Sequence, residues 1–176
     1  MMARKLISLR VGLAILICLG GAQSVGVAQP QQRTGGVSSE QNKALVRRWI
    51  EEGFNKRDLK VVDESFAEDF VVNGLKIGRG GLRRSMSRHL TAFPDLHVVI
   101  DEIMAEGDKV GIWYRARGTQ RGEFRGVPAT GKRVNWVGVD LLRVEGGRIV
   151  EGRFVDDSLG LLRQLGATLS PPAVQE

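Results

Sequence analysis

Residues 132–166, KRVNWVGVDLLRVEGGRIVEGRFVDDSLGLLRQLG, constrain the fold more than any other part of the chain. Apolar and polar side chains alternate over 133–144 and again over 148–156, the period of strands with one buried face. Gly146-Gly147 separates them, and a glycine pair accepts the positive φ that a tight hairpin turn requires. The second strand ends in Asp156-Asp157 and runs into a short apolar helix. On the first strand, one face carries Val134, Trp136, Gly138, Asp140, Leu142 and Val144. On the second, a period of two groups Ile149, Glu151, Arg153, Val155 and Asp157, so Arg153 and Asp157 point the same way unless a bulge intervenes.

Two more strands are expected upstream, over 97–104 and 109–119, joined at Glu106-Gly107-Asp108. The segment 122–131 reads as a loop or broken edge strand. Before residue 96 the period is helical. Ser38 and Gln41 have the form of a capping box, and Leu45/Trp49 and Val46/Ile50/Phe54 repeat at four-residue spacing, which predicts a helix over 39–55. A shorter helix over 59–66, a brief strand over 70–72 and a glycine loop at 78–81 follow. A third helix then turns Leu82, Met86, Leu90 and Phe93 inward and stops at Pro94. Helices first and an antiparallel meander afterwards specify an α+β fold, with the helices covering one face of the sheet.

The ends of the chain read differently. Arg4, Lys5 and Arg10 precede or open an apolar run over 11–19, with small residues after it, the layout of an exported protein's leader over 1–28. The run is shorter than the roughly 20 residues of a spanning helix, so no stable membrane insertion is expected after processing. Residues 29–37, rich in Gln and Gly, read as a flexible spacer, and 170–176 as a disordered tail. The folded domain is therefore expected over 38–169. Half of the chain's formal charge of +6 leaves with the leader, and Cys18, the sole cysteine, leaves too. A modestly basic domain needs no nucleic-acid partner, and no disulfide or thiol chemistry is available to it.

Two motifs lead nowhere. Residues 126–132, GVPATGK, match the start of a phosphate-binding loop, but Arg133 replaces the Ser or Thr and a strand follows where the mechanism needs a helix. His89 and His97 are the only histidines and lie in no cluster of metal-ligand spacing, so no metal is expected.

The string NKALVRRWIEEGFNKRDLKVVDESFAEDFV, the FPDL at 93–96, the EGDKV at 106–110 and the final GGRIVEGRFVDDSLGLLRQLG together resemble the SnoaL-like polyketide cyclases, also known as ester cyclases, of the cone-shaped nuclear-transport-factor-like superfamily. The resemblance spans 42–166. It implies a strongly curved antiparallel sheet wrapped around the helices and enclosing one pocket. It also implies ring closure by intramolecular aldol condensation, without metal or organic cofactor, with an Asp at the end of the last strand as acid and base. Asp157 falls where that Asp is expected. The chain departs from the family at Gly118-Thr119-Gln120, where a Gly-Thr-His is common, and at Glu151-Gly152-Arg153, where a Glu-His-Trp is common.

These readings give a site. Asp157 is the candidate acid/base, on a small hydrophobic carbonyl compound. One carboxyl can do both tasks if its pKa lies near the working pH, which burial favours and a nearby cation opposes. Arg153 is such a cation, and a plain Arg153–Asp157 ion pair is the alternative. Asp140 lies among apolar neighbours and needs a partner or a pocket, with Arg153 on the next strand as the candidate partner. Trp136 and Tyr114 line the pocket or simply fill the core. A non-catalytic ligand-binding protein, or a homodimer pairing through its sheet face, would use the same fold.

Overall fold

A computed structural model describes residues 38–168. The leader, spacer and tail expected at 1–28, 29–37 and 170–176 lie outside the described residues.

Helix α1 (Ser39–Arg48) opens with the expected capping box: Gln41 N–H donates to Ser38 Oγ, and Ser38 N–H donates to Gln41 Oε1 at 2.8 Å. Two orphan amides of the first turn are thus satisfied. The periodicity predicts one continuous α-helix to residue 55. Instead the chain widens into a π-helical segment (Trp49–Asn55), which turns Trp49, Ile50 and Gly53 into the core together. Its width shows in the bond from Lys56 N–H to the carbonyl of Glu51, five residues back, at 2.9 Å. Asn55 closes the segment by exchanging hydrogen bonds of 2.8 and 3.0 Å with the backbone of Val98.

The chain continues through α2 (Val61–Ser65), β1 (Phe66–Val72), β2 (Leu75–Lys76) and α3 (Gly78–Ala92). The glycines at 78–81 start α3 and do not form a loop. Gly78 turns the chain at a φ of +61° and the helix follows directly. Four long strands come next: β3 (His97–Glu106), β4 (Lys109–Thr119), β5 (Arg133–Glu145) and β6 (Arg148–Asp156), then α4 (Ser158–Leu165). Gly146 and Gly147 form the β5–β6 turn at φ of +57° and +74°, values that side chains rarely adopt.

The six strands form one curved, unclosed sheet in the order β2-β1-β6-β5-β4-β3. The α+β architecture is the expected one. One pairing departs from a purely antiparallel sheet: β1, reached from the N-terminal helices, runs parallel to β6. Helices α1 and α3 and the π-helical segment contact the strands. The rings of Trp49, Phe66, Phe70 and Phe154 pack edge-on, tilted or stacked at centroid distances of 4.9–6.2 Å.

Burial alternates along β5 as the sequence predicts, with Val134, Trp136, Gly138, Asp140, Leu142 and Val144 inside. On β6 the alternation breaks. Arg143 pairs with Glu151 but Val144 pairs with Ile149, so Val150 is an extra residue. Such a bulge shifts every later side chain to the opposite face. Inward residues after it are Gly152, Phe154 and Asp156, which pair with Leu142, Asp140 and Gly138 of β5.

Candidate functional site

A cavity of about 400 Å³ lies between the concave face of the sheet and the helices. The π-helical segment contributes Trp49 and Phe54, α3 contributes Met86 and His89, and the sheet contributes Tyr114, Trp136, Asp140, Phe154 and Asp156. Arg125, from the loop before β5, and Ser158, at the start of α4, stand in the same wall.

Asp140 is the most unusual group in this wall. It is 4 % exposed, and one of its oxygens is fully enclosed with no hydrogen-bond partner. Arg153, the expected partner, does not reach it. Burial pushes the Asp140 carboxyl up to about 8, and the neighbouring Asp156 carboxylate adds to the rise. A carboxyl in such surroundings keeps its proton at neutral pH and can donate it.

Asp156 sits one strand away, diagonal to Asp140. Ser158 donates its hydroxyl proton to Asp156 Oδ1, and Arg125 Nη2 stands 3.6 Å from Oδ2. Arg125 also donates to Ser158 Oγ at 2.5 Å, and its guanidinium lies 5.2 Å from the centre of the Phe124 ring. The loop that carries it is pinned by buried Gln120. The Gln120 amide donates to the Val127 carbonyl at 3.0 Å and accepts from the Thr130 hydroxyl at 2.6 Å. Gln120 therefore stands where the family often has His and shapes the loop. His89 donates from Nδ1 to the Ser85 carbonyl at 2.8 Å, since a carbonyl can only accept. Burial lowers the His89 pKa, and its neutral form leaves Nε2 as an acceptor.

Two of the expected site residues lie elsewhere. Arg153 and Asp157 were expected to share the cavity face, but the Val150 bulge turns that face to solvent. The Arg153 side chain is 69 % exposed and approaches Glu151 at 3.7 Å. Asp157 is exposed and caps α4, accepting from Gly160 N–H at 2.8 Å. Asp140, Trp136 and Tyr114 do line the cavity. Trp136 is also core, with its ring 5.4 Å from that of Phe93. Sequence reasoning missed Asp156, Ser158, Arg125 and His89. The capping role of Asp157 had a signal in the apolar helix that follows it. The bulge that selects Asp156 had none. Among the described residues no three His, Cys, Asp or Glu side chains converge as a metal ion would need.

A family model described as SnoaL-like polyketide cyclase matches residues 44–165. Among solved structures, AclR of Streptomyces galilaeus, named provisionally as a hydroxylase, is 33 % identical. Its alignment covers 75 % of this chain and 100 % of that one, with a TM-score of 0.68. IdmH of Streptomyces antibioticus, named provisionally as a polyketide cyclase, is 31 % identical over 72 % of this chain and 99 % of its own, with a TM-score of 0.64. A SnoaL-like protein of Jannaschia, also provisionally a polyketide cyclase, is 27 % identical over 74 % and 95 %, with a TM-score of 0.68. No curated protein matches the chain. The chain belongs to the SnoaL-like polyketide cyclase family. Its relatives bear names from two reaction classes, so the chemistry has to be argued from the site and not from the fold.

Proposed function

We propose that this family member is a cofactor-independent enzyme that moves a proton at the carbon beside a carbonyl, as in an intramolecular aldol ring closure, on a small and largely apolar compound. The observation that carries this reading is Asp140, a buried carboxyl without a protein partner, beside a second carboxylate in an aromatic-lined cavity. Asp156 takes the α-proton, with Arg125 and Ser158 holding its carboxylate in place. The enolate carbon then bonds to a second carbonyl carbon of the same molecule, whose oxygen becomes an alkoxide and takes the Asp140 proton. Return of the proton from Asp156 to Asp140 resets the pair, so no atom is gained or lost. Positioned acid–base groups of this kind contribute roughly 10²–10⁴-fold each. In this reading Asp157 is a helix cap, Arg153 a surface charge, and the acid–base role expected of Asp157 passes to Asp140 and Asp156.

The reading includes export, resting on the pattern of residues 1–28, and a homodimer. On the outer sheet face, exposed Trp113, Val139 and Val155 are in register across β4, β5 and β6, a continuous apolar row that a second copy would cover. A non-catalytic carrier of the same ligand class is the second reading, favoured by the largely apolar cavity wall.

The test is hydrogen–deuterium exchange at the α-carbon of 2-tetralone in D₂O, followed by proton NMR. The expected result is saturable, protein-accelerated exchange that Asp156→Asn lowers roughly 10²–10⁴-fold. Binding of 2-tetralone with exchange at the buffer rate would remove the enzyme and leave the carrier.

A further inference from the structure

Tyr114 enters the site through a glycine. On β4 it pairs directly with Gly138 of β5, which in turn pairs with Asp156 of β6. The phenol ring lies across Gly138 so closely that a Cβ there would sit 2.3 Å from both its Cζ and its hydroxyl oxygen. No β-carbon can be accommodated at that distance, so the missing side chain at 138 creates the seat for the ring. The hydroxyl is thereby carried across β5 toward β6, in the cavity wall that Tyr114 shares with Asp140 and Asp156. Asp140, two residues along β5 on the same face, is its diagonal neighbour, within reach of a long aromatic side chain. One Asp140 oxygen is enclosed and unpartnered. A buried carboxyl with an unpartnered oxygen thus stands beside a phenol in one cavity wall, and a ligand oxygen between them would bond to both.

We propose that the Tyr114 hydroxyl and the Asp140 carboxyl together form a two-donor cradle for the negatively charged oxygen of an enolate, with Gly138 as the positioning residue that seats the phenol. The inference rests on the proton-transfer reading and deepens it. It makes Tyr114 a catalytic residue and not merely wall, and it selects substrates whose ionised oxygen lies on a flat, conjugated frame. Donors fixed before the charge develops stabilise it without reorganisation, which is why such cradles are effective in enclosed sites. Asp140 acts as a donor because burial holds its proton at neutral pH, and it releases that proton to the alkoxide once carbon–carbon bond formation has returned the enolate oxygen to a neutral carbonyl. Burial raises the Tyr114 phenol as well, so its proton also stays in place. The other charged or titratable groups facing the pair are Asp156 on β6, Arg125 on the loop and His89 on α3.

The probe is 4-nitrophenol, whose phenolate absorbs in the visible and mimics an enolate oxygen on a flat frame, with nitrobenzene as the analogue lacking that oxygen. The full chain is expected to bind the phenolate in preference to nitrobenzene. Tyr114→Phe should weaken phenolate binding about tenfold or more, the worth of one hydrogen bond to a charged oxygen, and leave nitrobenzene unchanged. Gly138→Ala should weaken the phenolate comparably, and the double variant should be no weaker than the weaker single one, because both remove the same donor. Tyr114→Phe is near-isosteric and carries the test alone if Gly138→Ala does not fold. Phenolate binding unaffected by Tyr114→Phe, equal affinity of the wild type for phenolate and nitrobenzene, or no phenolate binding at all would each overturn the proposal. If any of these occurs while Asp156-dependent exchange of 2-tetralone persists, the cradle is wrong and the proton-transfer reading stands. Phenolate preference that depends on Tyr114, without any exchange, supports the cradle as an anion site and removes the proton transfer.

Discussion

Asp156 and Asp157 are neighbours in the chain and opposites in surroundings. Asp156 ends β6 on the inner face, bonded by Ser158 and approached by Arg125. Asp157, one residue on, faces solvent and spends its carboxylate on the first turn of α4. Nothing in their chemistry separates them. The difference comes from Val150, whose bulge reverses the inward set of β6 over its remaining length. The choice of functional carboxylate in this sheet is a matter of register, fixed several residues away from the groups it sorts.

Substituting each carboxylate in turn separates the two roles. Asp156→Asn should lower α-proton exchange roughly 10²–10⁴-fold. Asp157→Asn should leave the exchange rate within a factor of about two, measured on the same ketone. Equal losses in the two variants would refute the assignment of faces.

The second contrast concerns Asp140. In the folded protein its carboxyl is raised to about 8 from an ordinary 3.8 by burial and by Asp156. Between those values the native state holds a proton that the unfolded chain has released, so stability against unfolding falls as pH rises across this window. Asp140→Asn removes the titrating group. It should flatten the fall and raise stability at neutral pH by up to several kcal/mol, since each pH unit between the unfolded carboxyl's pKa and neutrality costs on the order of 1 kcal/mol. Denaturant titrations from pH 4 to pH 9 check it, and identical slopes in the two proteins would contradict it.

Smaller effects are expected on the outer face. Asp157→Ala removes a side-chain cap and should cost about 1 kcal/mol of stability without changing exchange. Arg153→Ala, on an exposed side chain with one 3.7 Å partner, should change stability by less than about 0.5 kcal/mol. Thermal melts beside exchange rates would show both, and a large loss of exchange in Arg153→Ala would place that side chain in the chemistry after all.

The contrast also marks what the sequence makes legible. The alternation along 133–145 correctly places Trp136 and Asp140 inward, because an uninterrupted strand leaves no freedom in its period. The same reasoning fails on β6, where an extra residue carries no composition signal and Val150 looks like any other strand valine. The capping box at Ser38 is local and therefore readable. The widening at Trp49 depends on tertiary packing, including Gly53, where a Cβ would lie 2.6 Å from Met86 on α3. Arg125 was invisible for a similar reason. Its loop has no period, and its position depends on the buried bonds of Gln120. Gly138 was visible as a glycine inside a strand, but the ring it seats is known only once β4 and β5 are in register.

Both the acid–base pair and the cradle require Asp140 to hold a proton inside the cavity at neutral pH. Carbon-13 NMR of aspartate-labelled protein, with Asp140→Asn to assign the resonance, follows that carboxyl directly through a pH titration. The expected midpoint is about 8. A midpoint in the ordinary carboxylate range, near about 4, would contradict both the acid–base pair and the cradle built on it.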